Sequence, residues 1–133
     1  MPTVSPPDLL DAFARRVAER DHPPPPPPLS QEPAAVQARL EGWLGTAHRV
    51  RDPRGRLRLG RMLLALMTRP ERTTGELGEA AGLPARAAAR AAVRLGALGI
   101  AAQEYRGRAR YWRLTPAAED ALLQVIAGPA AGA

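Results

Sequence analysis

Apolar side chains recur at helical spacing in six segments of the chain and alternate with polar side chains in two short segments before its last helix. The predicted helices cover Asp8–Asp21, Ser30 to the turn at Arg51–Gly55, Leu57–Thr68, Thr73–Ala81, Pro84–Leu98 and Thr115–Gly128. The predicted strands are Ile100–Glu104 and Ala109–Leu114. The pattern therefore predicts a mainly α protein with one small β-hairpin.

The N-terminal part of the chain is predicted to form a helical extension. One side of the first helix carries Leu9, Leu10, Phe13 and Val17, so this helix is weakly amphipathic. The six prolines Pro23–Pro28 lack backbone N–H groups and have a fixed φ. They are predicted to form a polyproline II spacer of roughly 19 Å.

A second helix is predicted to begin at Ser30, whose hydroxyl can cap it, with Pro33 in its first turn. Its apolar stripe comprises Val36, Leu40, Trp43, Leu44 and Ala47. Such a stripe can either support the following domain or form a dimer seam, and the sequence favours neither role.

Two short helices joined by a tight turn are predicted between Thr73 and Leu98. Thr73-Thr74-Gly75-Glu76 is a capping box, in which the Thr oxygen accepts the N3 amide and Glu76 reaches back. In the segment Gly82-Leu83-Pro84, Gly82 can adopt a positive φ and Pro84 fits the first turn of a new helix.

The second of these helices has two contrasting faces. Arg86, Arg90 and Arg94 are spaced four residues apart on one face, and the opposite face carries Ala88, Ala91, Ala92 and Leu95. An arginine can fork onto guanine O6 and N7 or onto phosphates, and an α-helix fits the major groove. A basic stripe is more often only a solvated face, but its position after a helix and a tight turn favours contact with DNA.

The hairpin is predicted to turn at Tyr105-Arg106-Gly107-Arg108, which places Arg106, Arg108 and Arg110 at its tip. Such arginines can lie along phosphates or enter a narrow minor groove. Trp112 is expected in the core, and Tyr111 is expected either to support the hairpin or to contact the DNA backbone.

Charge placement also indicates a polyanionic partner. The net charge of the 133 residues is +6, and every cationic side chain is arginine, a bias that a GC-rich genome would explain. Residues 53–133 hold 13 arginines against 6 acidic residues, whereas residues 1–52 hold 6 against 7. The basic part thus coincides with the paired helices and the hairpin.

Other classes of function find little support. Cysteine is absent, and His22 and His48 lie in separate segments, so neither a metal site nor a cofactor is expected. The longest apolar run, Met62–Met67, is too short to span a membrane, and no secretory signal opens the sequence, so we expect a cytoplasmic protein. No catalytic triad or phosphate-cradling glycine loop is apparent, which argues against an enzyme.

From Leu57 to Val125 the sequence resembles bacterial winged helix-turn-helix regulators of the MarR, PadR and ArsR type. The resemblance is carried by Thr73–Leu77, Gly82-Leu83-Pro84, Gly99-Ile100 and Tyr111-Trp112-Arg113-Leu114-Thr115-Pro116. It implies base-reading positions at Arg86, Ala87 and Arg90, a wing at Arg106–Arg110, and homodimers acting on inverted repeats. Metal-sensing cysteine or histidine ligands of the ArsR type are missing, and the predicted recognition helix lacks the usual Ser, Thr, Gln or Asn contacts.

We therefore expect a winged helix-turn-helix regulator, most simply a repressor, that binds double-stranded DNA as a homodimer. Its candidate DNA contacts are Thr73, Thr74, Arg86, Ala87, Arg90, Arg94, Arg106, Arg108 and Arg110. The expected divisions are an N-terminal helix and polyproline linker (1–28), an amphipathic helix (29–52), the DNA-binding domain (53–128) and a disordered tail (129–133). The alternative is a protein-interaction module that docks on a larger complex, such as the transcription machinery, through its N-terminal helix and polyproline segment.

Overall fold

Six helices and three short strands make up the part of the chain that the structure, a computed structural model, describes: residues 6–22 and 27–128. The helices are α1 (Pro6–Asp21), α2 (Pro33–Ala47), α3 (Pro53–Thr68), α4 (Thr74–Ala81), α5 (Ala85–Ala97) and α6 (Pro116–Ala127). The strands are β1 (Arg72–Thr73), β2 (Ala101–Arg106) and β3 (Ala109–Leu114). The predicted mainly α fold with a β-hairpin is confirmed, whereas most of the hexaproline (23–26) and the predicted tail (129–133) lie outside the described residues.

The predicted starts of the first three helices were wrong, and local hydrogen bonds explain two of them. Helix α2 begins at Pro33 rather than Ser30, because the Ser30 hydroxyl accepts the Glu32 amide (3.2 Å) in a turn before the helix. Helix α3 begins at Pro53 rather than Leu57, because Asp52 Oδ2 accepts the Gly55 amide (2.8 Å) and acts as its N-cap. Helix α1 begins two residues earlier than predicted, at Pro6.

The predicted signals around α4 are confirmed. The Thr73 hydroxyl accepts the Glu76 amide (3.2 Å), and the Glu76 carboxylate accepts the Thr73 amide (2.9 Å), which completes the capping box. Gly82 ends α4 in the left-handed conformation with a φ of 67°. Pro84 then stands at the N-cap of α5, one position before the predicted first turn, so the helix itself begins at Ala85.

Helices α4 and α5 approach each other closely at a pair of small residues. A Cβ placed on Gly78 would lie 3.1 Å from both the Ala88 Cβ and the Leu83 carbonyl oxygen. Ala88 is completely buried, and Ala91, Ala92 and Leu95 continue the buried face of α5. The predicted alanine seam is therefore the surface on which α5 packs.

The hairpin is longer than predicted, and its sheet contains an unpredicted third strand. Tyr105 and Arg106 pair with Arg110 and Ala109, so the turn shrinks from the predicted Tyr105–Arg108 to Gly107-Arg108, with a φ of 62° at Gly107. Strand β1 pairs antiparallel with β3, which gives the sheet the order β1-β3-β2. This short strand anchors the base of the hairpin to the start of α4.

The stripe on α2 supports the rest of the fold. Val36, Leu40 and Leu44 are buried in one core with residues of α3 and α6, whereas Trp43 is half-buried and Ala47 is exposed. In contrast, the apolar side of α1 is open to solvent: Leu9 is 64% exposed, Leu10 67% and Phe13 61%. Helix α1 therefore leaves an apolar surface that the described part of its own chain does not cover.

Trp112 joins the hairpin to α4. As predicted it is a core residue, only 2% exposed, and its indole N–H donates to the Thr74 hydroxyl at 2.9 Å. Because a buried N–H cannot turn to water, this hydrogen bond stabilises the position of the hairpin relative to α4.

Replacing Thr74 tests that hydrogen bond. We expect Thr74→Val, which keeps a β-branched side chain but removes the acceptor, to lower the free energy of unfolding by about 1–3 kcal/mol, the cost of an unsatisfied buried donor. Thr74→Ser is the control because it retains the hydroxyl. Urea denaturation compares the two, and equal midpoints for Val and Ser would contradict the assignment.

Candidate nucleic-acid interface

The arginines of α5 lie on the solvent side of the helix, as predicted. Arg86, Arg90 and Arg94 are exposed, whereas the seam of Ala88, Ala91, Ala92 and Leu95 is buried. Within the described residues, Arg86 and Arg90 make neither hydrogen bonds nor ion pairs. Their guanidinium groups are therefore available to an external acceptor.

Arg94 differs from the other two arginines because it has an internal partner. Its Nη2 lies 3.3 Å from Asp52 Oδ1, across the gap between α5 and the first residues of α3. Partial desolvation acts to raise the pKa of Asp52, but the hydrogen bonds from Arg94 and from the Gly55 amide outweigh it and hold that pKa below its usual range. Asp52 is thus ionised near neutral pH and offsets the charge of Arg94.

Of the other candidates near α5, Thr73 and Thr74 are both occupied within the protein. The Thr73 hydroxyl caps α4, and the Thr74 hydroxyl accepts the Trp112 indole N–H, so each retains its own hydrogen and one lone pair for a ligand. Ala87 is half-buried on the flank of α5. The sequence analysis missed Val93, which is 54% exposed and lies one turn from Arg90 on the same face. Its apolar side chain can contact the methyl group of a thymine.

Arg106 is held within the hairpin. Its guanidinium donates in bidentate fashion to the Glu71 carboxylate (2.6 and 2.8 Å) and also to Glu104 (2.9 Å), and it lies 4.7 Å from the centre of the Tyr111 ring. The hydrogen bond from Arg106 lowers the pKa of Glu104, and the two carboxylates raise the pKa of Arg106 itself. The hydrogen bonds of the Arg106 guanidinium thus stabilise the hairpin, because they join it to Glu71.

Arg110 also makes internal contacts and is half-buried. It stacks over Tyr105 and Trp112, with its guanidinium carbon 5.1 and 5.4 Å from the two ring centres, and it donates to the Tyr105 hydroxyl. Tyr105 itself is 61% exposed. This stack fixes Arg110 beside the outer face of the hairpin.

Arg108 occupies the two-residue turn and is exposed. Among the described residues it has no hydrogen-bond or ion-pair partner. Of the three arginines predicted at the tip, it is therefore the one whose guanidinium is available to a ligand.

Helix α3 contributes basic residues that the sequence analysis did not select. Arg54, Arg58 and Arg61 are exposed and fall at one-turn spacing, and none of them has a partner within the described ranges. Placing the helix start at Leu57 hid this row, because Arg54 then belonged to a turn. The signal that would have revealed it is Asp52-Pro53, a capping residue followed by the proline favoured at the first helical position.

Comparison with known proteins gives a likeness of fold. No protein-family model matches the chain, and no curated protein matches its sequence. A solved structure titled as a MarR family transcriptional regulator from Silicibacter pomeroyi DSS is 20% identical, with a TM-score of 0.54 over 94% of this chain and 74% of that one. The YusO protein from Bacillus subtilis is 16% identical, with a TM-score of 0.52 over 96% of this chain and 79% of its own.

This chain has a winged helix-turn-helix fold. Helices α4 and α5 form its helix-turn-helix, and β2 and β3 form the wing. Among the helices of the described ranges, none is both long and apolar enough to cross a membrane.

Proposed function

We propose that this winged helix protein is a sequence-specific regulator of transcription, most simply a repressor, that binds double-stranded DNA. Helix α5 enters the major groove, and the wing lies on the backbone or in the adjacent minor groove. The observation that carries the proposal is the orientation of α5, whose arginines face solvent because its alanine face is buried. A helix of this shape fits the major groove, where arginine is the commonest reader of guanine.

The exposed face of α5 and the wing have different roles in recognition. The exposure of Arg86 and Arg90, and their lack of a partner in the described structure, support a role in reading base edges, and Val93 would add an apolar contact on the same face. Arg108 is placed to contact phosphate from the tip of the wing. Phosphate contacts fix the orientation of the protein on the duplex, whereas base contacts supply the sequence preference.

We further propose that the protein acts as a homodimer. The apolar side of α1, formed by Leu9, Leu10 and Phe13, is exposed on the described chain and would be covered by a second copy. A two-fold dimer presents two recognition helices to half-sites related by the same symmetry, so its binding site is an inverted repeat.

Selection of bound duplexes from a random pool tests both the function and the role of Arg90. The parent protein should enrich an inverted repeat, and Arg90→Ala should lower affinity for it by about 5- to 150-fold, the equivalent of 1–3 kcal/mol for a bidentate base contact. Arg90→Lys keeps the charge but loses the fork, so it should lose the sequence preference yet keep most of the salt dependence.

Enrichment of no sequence, together with only weak and salt-sensitive binding, would contradict the DNA-binding proposal. That result would favour the protein-interaction module instead. An Arg90→Lys variant with the full preference of the parent would assign Arg90 to phosphate rather than to a base.

Arg108 should behave as a phosphate contact. We expect Arg108→Ala to weaken binding to all duplexes by a similar factor, and to reduce the slope of log Kobs against log salt by about 0.9, the value for one phosphate contact on B-DNA. Titration of an operator duplex and of an unrelated duplex at several salt concentrations measures both quantities. A loss confined to the operator would show that Arg108 reads sequence.

The dimer proposal predicts an effect of charge on the apolar side of α1. Phe13→Asp should shift the protein from dimer to monomer in sedimentation velocity, because a carboxylate buried in an apolar interface is strongly unfavourable. Ala18→Asp places the same charge on the opposite side of α1 and should leave the dimer intact. A dimer that survives Phe13→Asp would exclude this side of α1 from the interface.

A further inference from the structure

A small cleft between α3 and α5 gathers arginines from both helices. It has a volume of about 120 Å³, and Ala87 and Ala91 are among its lining residues. Arg58 lines it from α3, and Arg90 and Arg94 line it from α5. The cleft lies beside the exposed row of α5, with which it shares two arginines.

The residues that line the cleft carry more positive than negative charge. Asp52 is the single carboxylate among its lining residues, against three guanidinium groups. Arg58 and Arg90 have no partner within the described structure, and each of the three arginines is exposed. Converging arginines with few counter-charges favour an anion that has several oxygens, since each planar guanidinium can donate two parallel hydrogen bonds to it.

Two contacts hold the Asp52 carboxylate in place, one to the Gly55 amide and one to Arg94. One carboxylate oxygen caps α3 by accepting the Gly55 amide, and the other pairs with Arg94. A Cβ on Gly55 would collide with the Asp52 carboxylate and lie 2.7 Å from Arg94 Nη1, so the glycine is what allows both side chains to lie over the first turn.

The Asp52–Arg94 pair is accessible and weak. The side chains of Arg94 and Asp52 are 44% and 57% exposed, and their closest approach is a single contact of 3.3 Å. Exposed ion pairs of this kind contribute little to stability. A bound oxyanion can therefore replace Asp52 as the partner of Arg94, while Asp52 keeps its capping hydrogen bond to the Gly55 amide.

We propose that this cleft is a binding site for a DNA backbone phosphate. Arg58 and Arg94 bind the phosphate, and Asp52 pairs with Arg94 in the protein without DNA. The inference rests on the proposed DNA-binding function, which it extends from α5 and the wing to α3. Arg54 and Arg61, which are exposed near Arg58 on α3, continue the basic surface along the same strand of the duplex. Contacts to the DNA backbone from the wing on one side of α5 and from α3 on the other would fix the depth and direction of α5 in the major groove.

Two variants with matched controls test the site. Arg58→Gln removes one side of the cleft, and its control is Arg15→Gln, which removes an exposed charge on α1. Asp52→Asn keeps an efficient N-cap but releases Arg94. Its control is Asp21→Asn, because Asp21 also forms an exposed pair with an arginine, Arg20, at 3.3 Å. Affinity for the selected duplex is measured by fluorescence anisotropy between 0.05 and 0.3 M salt (roughly the range in which phosphate contacts dominate), with thermal melting as a check on folding.

Opposite shifts are expected for the two variants. At 0.15 M salt, Arg58→Gln should weaken binding about fivefold and Asp52→Asn should strengthen it up to about fivefold, since one phosphate contact contributes a salt dependence of about 0.9 in log Kobs. The salt slope should become shallower in the first variant and steeper in the second. Both controls should match the parent.

The failures of the inference and of the proposed function give different results. If the parent binds its selected duplex but Arg58→Gln and Asp52→Asn behave like their controls, the cleft holds no phosphate and the function stands. If the parent binds no duplex in preference to random DNA and shows no salt-dependent affinity, the inference and the proposed function are both wrong. A loss of affinity in Asp52→Asn would also overturn the inference, because it would assign Asp52 to the bound state.

Discussion

The close contact between α4 and α5 determines which side chains of α5 face solvent. Gly78 and Ala88 bring the two helices so near that a single added methyl group would need a shift of its neighbours. Because the buried face of α5 consists of alanines and one leucine, its helix axis lies close to the core and its rotation has few alternatives. A larger residue on the seam would push the helix outward or turn it. The direction of Arg86 and Arg90 therefore follows from small residues on the other side of the helix.

Only some of the arginines in this basic chain are available to a partner. Arg56 donates to the carbonyls of Val50 and Arg51, and Arg72 donates to the Ala65 carbonyl near the end of α3. Arg106 bridges Glu71 and Glu104. Arg56 thus stabilises the connection between α2 and α3, Arg72 stabilises the last turn of α3, and Arg106 stabilises the wing. Among the described residues that follow Asp52, the arginines without such a partner lie on α3, on α5 and at the wing turn: Arg54, Arg58, Arg61, Arg86, Arg90 and Arg108. The free basic surface of this part is therefore narrower than its charge suggests.

Features governed by near neighbours in sequence could be predicted, and those that depend on distant residues could not. The capping box at Thr73 and Glu76, the left-handed Gly82 and the two faces of α5 each depend on residues within a few positions of one another. The strand β1 exists only because β3 pairs with it, and two residues carry no periodicity of their own. Arg106 looked available at a predicted tip because its partner Glu71 is distant in sequence. The cleft was missed for the same reason, since Arg58 and Arg94 meet only when α3 and α5 pack together.

Helix α3 connects the parts of the fold that the sequence keeps apart. Its buried residues, among them Leu59, Met62 and Leu63, contribute to the core shared with α2 and α5. Its glycines let other elements approach: Gly60 leaves room for Gln37, whose amide donates to the Leu57 carbonyl, and Gly55 leaves room for Asp52 and Arg94. Larger residues at either position would separate α3 from α2 or from α5. The same helix thus sets the distance of α5 from the support helix and the spacing of the arginines that face solvent, so packing and charge placement are two consequences of one set of close contacts.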